Sequence, residues 1–177
     1  MPTIDAMIEH IIELEGGYVD HPNDKGGPTK YGITIKTLSA ELGRPATIED
    51  VQALNKGDAA AIYKDDYFYA PKLHRLQEEL WPQLFDMSVN HGPGNSIRML
   101  QRVLTMAGFT CAVDGGIGPN TVKAALAAYD AMGGYLINAI SEYREVFYNR
   151  IVENNPSQNV FIKGWINRAR EFRVEVS

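Results

Sequence analysis

The sequence lacks several features that mark particular classes of protein. Its 177 residues include one cysteine, Cys111, so no internal disulfide can form, which agrees with folding in a reducing compartment. No stretch approaches the roughly 20 consecutive apolar residues of a membrane span. The N-terminus has no basic segment followed by an apolar run. We therefore expect no membrane insertion and synthesis in the cytoplasm without a signal peptide.

Positive charge and metal- or nucleotide-binding motifs are also scarce. The net charge is −5, which gives no basic surface for nucleic acid and no attraction to an anionic cell wall. None of the four histidines has HExxH or another metal-ligand spacing, which argues against a zinc amidase. No phosphate-binding or dinucleotide-binding glycine motif occurs. We expect no metal and no cofactor.

The first amphipathic segment ends in a carboxylate. Isoleucines recur at helical spacing over residues 4–15, and Glu15 continues their stripe just before the stop at Gly16-Gly17. Partial burial on that face and the negative end of the helix dipole would both disfavour the ionised carboxylate. A carboxylic acid kept protonated is what a general acid needs. The alternative is that Glu15 lies at the edge of the stripe and reaches water.

The segment after this helix contains further carboxylates. It is rich in Gly, Pro, Asn and Asp, which predicts an irregular loop or a short hairpin turning at Gly26-Gly27. Asp20 and Asp24 lie in it, together with the hydroxyl of Thr29. One acid on a helix end and a second on the next loop fit the two-carboxylate layout of glycoside hydrolysis. Ordinary turn chemistry is the alternative for each aspartate.

Several helices can be delimited by their caps and their apolar spacing. Thr34 is the predicted cap of a helix to Leu42, with Leu38 and Leu42 facing inward. Asp58 is the predicted cap of a helix reaching about Tyr69. A buried helix is predicted over residues 80–91, and the arginines near the C-terminus are interpreted as a solvated face.

The segment EGGYVDHPNDKGGPTKYGIT, residues 15–34, resembles the signature of glycoside hydrolase family 108. Members of that family are N-acetylmuramidases found as phage endolysins and in bacterial secretion loci, where some carry the label secretion activator protein. Residues 67–71 and 85–92 resemble later blocks of the same catalytic region. Residues 94 to about 170, with the run DGGIGP at 114–119, resemble the predicted peptidoglycan-binding region that follows it.

The resemblance implies a mainly α, lysozyme-like fold. With the helical pattern, it predicts about seven or eight helices and a short irregular or hairpin excursion after the first helix. We expect a catalytic region over residues 1–92 and a helical peptidoglycan-binding region over 93–177, packed as one compact unit. The run Gly92-Pro93-Gly94 is the expected boundary.

The resemblance also implies roles for individual residues. Glu15 would protonate the glycosidic oxygen, and Asp24, with Asp20 in reserve, would activate water or stabilise the charge on the sugar. Thr29 would orient the water, but the phage lysozymes place five residues between the Asp and the Thr of this order, and here there are four. The expected substrate-binding residues are Asp20, Tyr31, Tyr67 and Asn90.

The predicted function is hydrolysis of the β-1,4 bond between N-acetylmuramic acid and N-acetylglucosamine. The alternatives are a lytic transglycosylase and a non-catalytic peptidoglycan-binding or secretion-accessory protein. We expect a monomer that acts on glycan strands of the cell wall, in the periplasm, after release by a holin or a secretion apparatus.

Overall fold

The computed structural model describes residues 3–20 and 27–176. The chain divides into two compact units, Met1–Asp66 and Tyr67–Ser177. Over the described residues it forms nine α-helices and one small sheet, so the prediction of a mainly α fold is confirmed. These nine α-helices of the described residues slightly exceed the expected seven or eight.

The first unit consists of four helices and a three-stranded antiparallel sheet. Its helices are α1 (Ile4–Glu15), α2 (Ile35–Leu42), α3 (Ile48–Ala53) and α4 (Lys56–Lys64). The strands β1 (Tyr18–Val19), β2 (Thr29–Lys30) and β3 (Ile33–Thr34) lie between α1 and α2 and pair in the order β1-β2-β3. A hairpin after the first helix was predicted, and the described hairpin turns at Tyr31-Gly32. The predicted turn at Gly26-Gly27 falls partly outside the described residues.

Each helix of the first unit begins at a side-chain cap. The side chains of Thr3, Thr34, Thr47 and Asn55 accept hydrogen bonds from backbone N–H groups of the first turns. The prediction that Asp58 is a cap is wrong. Asn55 is the cap, and Asp58 is the third residue of a capping box that returns a bond to the Asn55 N–H, so α4 begins earlier. The continuation to Tyr69 is a π-helical turn, Asp65–Tyr69.

The core of the first unit lies where α1 packs on α4. The buried residues of α1 are Met7, Ile8, Ile11 and Ile12, as the helical spacing predicts. Leu38 of α2 is buried, but the prediction that Leu42 faces inward is wrong, because its side chain is 44% exposed. Leu42 lies in the last turn of α2, at an open groove that Leu38 also borders, so solvent reaches it.

The second unit contains the remaining five α-helices. They are α5 (Trp81–His91), α6 (Pro93–Met106), α7 (Pro119–Met132), α8 (Gly134–Asn154) and α9 (Asn159–Arg170). Helix α8 packs on α6, α7 and α9, and α5 packs on α6. Gly92, with φ of +79°, joins α5 to α6 inside this unit. The boundary between a catalytic and a binding region at this glycine stays a prediction.

A buried ion cluster links α5, α8 and α9. The Asp86 carboxylate accepts hydrogen bonds from Arg144 at 2.5 Å and from Arg168 at 2.8 Å, and the Arg144 side chain is fully buried. Arg170 and Arg173 both pair with Glu145. Arg170 and Arg173 are exposed, as the interpretation of a solvated face predicts, whereas Arg168 is half-buried and pairs with Asp86 of α5.

Candidate active site

Glu15 is the last residue of α1. The helix stops there because Gly16 takes a φ of +73° and donates its N–H to Ile12 O at 3.1 Å. The Glu15 side chain is exposed, so the expected partial burial is wrong. The buried stripe of α1 packs on α4 and ends at Ile12, whereas Glu15 meets a glycine that covers little of its carboxylate. The negative end of the helix dipole still acts on it.

The turn between β2 and β3 is attached to the end of α1. Its two residues, Tyr31 and Gly32, have φ of +54° and +78°, as a two-residue type I′ hairpin requires. The Tyr31 N–H donates to Gly16 O at 3.0 Å. The buried Tyr63 of α4 donates its hydroxyl to Tyr31 O at 2.8 Å. The turn is thus held by both helices.

Gly32 lies against the side chain of Glu15. A Cβ at this position would come within 2.9 Å of Glu15 Cγ and 3.1 Å of Glu15 Cβ, and it would also collide with the Tyr63 hydroxyl. Only glycine satisfies both the positive φ and this contact. We call Glu15, Tyr31, Gly32 and Tyr63 the Glu15 clamp. It holds the stem of the carboxylate while its head remains open to solvent.

Of the two candidates for the second carboxylate, Asp20 and Asp24, the structure describes only Asp20. Asp24 lies outside the described residues, and its role stays a prediction. Asp20 follows β1, is exposed, and accepts a hydrogen bond from the Tyr18 hydroxyl at 3.3 Å. An exposed carboxylate next to a phenol can accept a proton from water or face a sugar hydroxyl, so the chemistry required of the reserve candidate is possible at Asp20.

Thr29 and Tyr31 lie on the sheet and its turn. Thr29 pairs with Val19 on one side and with Thr34 on the other, and it is half-buried. Since side chains alternate along a strand, Thr29 points to the face opposite Lys30. The ring of the half-buried Tyr31 lies 5.5 Å from Lys30 Nζ. The water-orienting role of Thr29 and the substrate role of Tyr31 stay predictions.

The other two predicted substrate-binding residues belong to the second unit. Tyr67 is half-buried in the π-helical turn. Asn90 is exposed near the end of α5 and donates its side-chain amide to Asp86 O at 2.7 Å. Asp86 itself is buried and paired with Arg144 and Arg168. The substrate roles of Tyr67 and Asn90 stay predictions.

Sequence reasoning missed two residues of the clamp. Gly32 follows Tyr31 between two short strands, and this tyrosine–glycine pair was the available signal for a tight turn. Tyr63 had no local signal, because its hydrogen bond to Tyr31 spans 32 positions of the chain.

Metal and membrane sites are absent from the part of the chain that the structure describes. Over residues 3–20 and 27–176, histidine, cysteine and acidic side chains form no group that could hold a metal ion. Within the same residues, no helix combines the length and the apolar character needed to cross a membrane. The arrangement at Glu15 consists of an exposed carboxylate at the end of a helix and a hairpin turn packed against its stem.

Comparisons with known proteins agree with this class of site. The sequence model of the glycosyl hydrolase 108 family matches residues 8–92, which include the Glu15 clamp. The model of a predicted peptidoglycan domain matches residues 95–170. No curated protein sequence matches the chain.

A solved structure resembles the chain over nearly its full length. It is the structure of Brucella abortus SagA, with a TM-score of 0.79 and 31% sequence identity, and the match covers 96% of this chain and 91% of that one. The chain therefore belongs to the glycosyl hydrolase 108 family, and its fold is lysozyme-like and mainly α. Family membership indicates a glycoside hydrolase connected with peptidoglycan.

Proposed function

We propose that the protein is an N-acetylmuramidase that hydrolyses the β-1,4 bond between N-acetylmuramic acid and N-acetylglucosamine, with Glu15 as the general acid. The observation that carries the proposal is the Glu15 clamp. A turn with two positive φ angles and a buried tyrosine serves to hold the stem of one exposed carboxylate. Such preorganisation is expected of a group that must meet a reacting atom.

Exposure of Glu15 in the free protein is compatible with this role. A glycan strand lying over the carboxylate would displace water from it and bring it against the glycosidic oxygen. Glu15 would then donate its proton to the glycosidic oxygen while the sugar ring gains positive charge. Asp24, or Asp20 in its place, would activate water or stabilise that charge, with Thr29 orienting the water. A carboxyl separation of about 5–5.5 Å would give retention of configuration, and about 6.5–9.5 Å inversion.

The test is clearing of purified peptidoglycan in a zymogram. Glu15→Gln should reduce clearing by about 10²- to 10⁴-fold, the usual contribution of a general acid. Asp24→Asn tests the second carboxylate in the same assay, and Asp20→Asn tests the reserve candidate. Glu13→Gln is the matched control, because Glu13 is an exposed carboxylate on the same helix two residues away. Equal clearing by Glu15→Gln and the wild type would refute the assignment of Glu15.

The products separate hydrolysis from lytic transglycosylation. Hydrolysis leaves a reducing end that borohydride reduces, whereas a transglycosylase leaves an anhydro sugar and needs no carboxylate to activate water. We expect reducible ends, together with loss of activity in at least one of Asp24→Asn and Asp20→Asn. Anhydro products with both aspartate variants active would favour the transglycosylase.

A second candidate function is a peptidoglycan-binding or secretion-accessory protein without catalysis. The exposure of Glu15 favours it, because the partial burial expected of a general acid is not seen at its side chain. Binding to peptidoglycan without clearing, equally in wild type and Glu15→Gln, would support this candidate.

The proposed substrate also implies where the protein would act and how it would get there. The protein would act as a monomer on the cell wall in the periplasm, reached through a holin or a secretion apparatus. A concentration-independent monomeric mass in solution is the result expected for the monomer.

A further inference from the structure

Three aromatic rings of the second unit form a stack that runs from the core to the surface. Tyr148 of α8 is buried, and its ring stacks on that of Trp165 at 5.3 Å between centroids, with 27° between the planes. Trp165 is half-buried and stacks on Phe161 at 5.7 Å and 26°. We call Tyr148, Trp165 and Phe161 the aromatic stack. Its outer end is a ring whose orientation is fixed by the rings beneath it.

The outer end of the stack is open to solvent. Phe161 is 52% exposed and its neighbour Val160 is 78% exposed, so two consecutive large apolar residues face water at the start of α9. Together with the half-buried Trp165, on which Phe161 stacks, they form a contiguous apolar patch, and contiguous exposed patches mark interaction sites where scattered single residues do not.

A glycine, Gly164, lies on α9 beside the aromatic stack. It lies in the interior of α9, where glycine is destabilising relative to alanine. Neither backbone conformation nor packing requires it, because its φ is not positive and a Cβ built there would meet no atom within 4 Å. Helical spacing puts Gly164 on the same face as Phe161, Trp165 and Arg168. The missing side chain leaves open space next to the rings.

We propose that the aromatic stack and the space at Gly164 form a binding surface for the glycan strand of peptidoglycan. A pyranose ring presents an apolar C–H face that packs flat on an aromatic ring, while its hydroxyls at the rim remain in contact with water. The stack is held in place before binding, so little conformational freedom is lost. All these residues lie within the span matched by the predicted peptidoglycan domain.

The negative net charge of the protein favours local ring stacking over long-range electrostatic attraction as the source of binding to the cell wall. At a net charge of −5 the protein gains no long-range attraction to an anionic polymer. Binding must then come from contacts such as ring stacking that do not depend on net charge. This inference rests on the proposed function for the identity of the polymer, but it concerns binding and not bond cleavage.

The experiment measures cosedimentation of the full chain with purified insoluble peptidoglycan at low temperature. Phe161→Ala should weaken binding about tenfold, the loss expected when a central aromatic contact is truncated, and Phe161→Tyr should restore it. Gly164→Gln should weaken binding by a similar factor because its side chain fills the open space. It should leave the urea midpoint unchanged or raised, because glutamine favours the helix. Tyr135→Ala is the matched control, since Tyr135 is a 53% exposed aromatic residue on α8.

The outcomes are distinguishable from those that test catalysis. If wild type clears peptidoglycan but Phe161→Ala and Gly164→Gln bind like wild type, the glycan surface is wrong and the hydrolase proposal stands. If no clearing occurs but binding depends on Phe161 and Gly164, the glycan surface stands and the hydrolase proposal fails. A concentration-dependent dimer abolished by Phe161→Ala would assign the surface to a second copy of the chain and overturn the proposal. So would equal loss of binding in Tyr135→Ala.

Discussion

The two units are stabilised by polar groups of different kinds. In the first unit, all four helices begin at side-chain caps contributed by neighbouring residues. In the described part of the second unit, none of the five α-helices has a side-chain hydrogen bond at its N-cap. Instead, polar side chains such as Asp86, Gln101 and Arg144 are buried and bond to residues distant in sequence.

This difference separates local stabilisation from long-range stabilisation. A cap is exposed and contributes about 1 kcal/mol when it is present. A buried charge or amide contributes little beyond its desolvation cost when it is paired, but losing its partner is expensive. Polar substitutions should therefore be mild in the first unit and severe in the second.

The largest effect is expected at Asp86. Asp86→Asn removes a carboxylate that faces both Arg144 and Arg168, and among residues 3–20 and 27–176 no other carboxylate pairs with the fully buried Arg144. We expect the free energy of unfolding to fall by about 3–5 kcal/mol, measured by urea denaturation. Asp130→Asn, at an exposed position on α7, should change it by less than about 0.5 kcal/mol. Similar losses in the two variants would remove the distinction between buried and exposed carboxylates.

The next effect is a pH dependence at His91. Burial and the nearby Arg144 cation lower the pKa of His91 to about 4, with Asp86 acting in the opposite direction. Because the folded-state pKa lies below the ordinary value, the contribution of His91 is complete above about pH 6.5. It is lost as the pH falls towards 4, by about 3 kcal/mol in all.

Urea denaturation between pH 7 and pH 4 measures this contribution. His91→Asn should lose less stability over that range than wild type, because its side chain does not titrate. His10→Asn, which changes an exposed histidine of α1, should follow the wild-type curve. Parallel curves for wild type and His91→Asn would mean that His91 does not control the acid sensitivity.

A smaller effect is expected at Gln101. Its buried amide donates to Asp114 at 2.9 Å and Gly116 O at 2.9 Å, and its oxygen accepts from the Gly115 N–H at 2.9 Å. Gln101→Ala removes the acceptor of the Gly115 N–H and one of the donors to Asp114 and to Gly116 O, so the free energy of unfolding should fall by about 1–3 kcal/mol. Gln52→Ala, at an exposed position of α3, is the control and should be near neutral. A neutral Gln101→Ala would show that water replaces the amide.

The smallest effect is expected at a cap of the first unit. Thr47→Ala removes the hydroxyl that accepts the Asp50 N–H at 3.2 Å, and it should cost about 1 kcal/mol in thermal or urea unfolding. Thr47→Ser keeps the hydroxyl and should recover most of that loss. If Thr47→Ala cost as much as Asp86→Asn, the contrast between the two units would not hold.

The same contrast explains what the sequence could predict. The cap at Thr34 and the stop at Gly16 act on neighbouring residues, so the start of α2 and the end of α1 were predicted correctly. The ion cluster at Asp86 joins side chains 58 and 82 positions apart, and no local pattern specifies such a pairing. The half-burial of Arg168 against Asp86 therefore had no signal in the sequence.

In the candidate site, too, local features were predictable from the sequence and tertiary contacts were not. The position of Glu15 at the end of α1 followed from helical spacing and from the glycines after it. The helical pattern allowed either partial burial or contact with water for its side chain, because burial depends on which element packs over the last turn, and here it is a glycine of the next hairpin. The hydrogen bond from Tyr63 to Tyr31 is likewise a tertiary contact and had no signal in the sequence.

The most direct test of the account is the release of borohydride-reducible ends from purified peptidoglycan, compared between wild type, Glu15→Gln and Glu13→Gln. We predict release by wild type and Glu13→Gln at similar rates, ending in N-acetylmuramic acid, and a loss of at least about 10²-fold in Glu15→Gln. Release by Glu15→Gln at the wild-type rate would contradict the assignment of Glu15 as the acid.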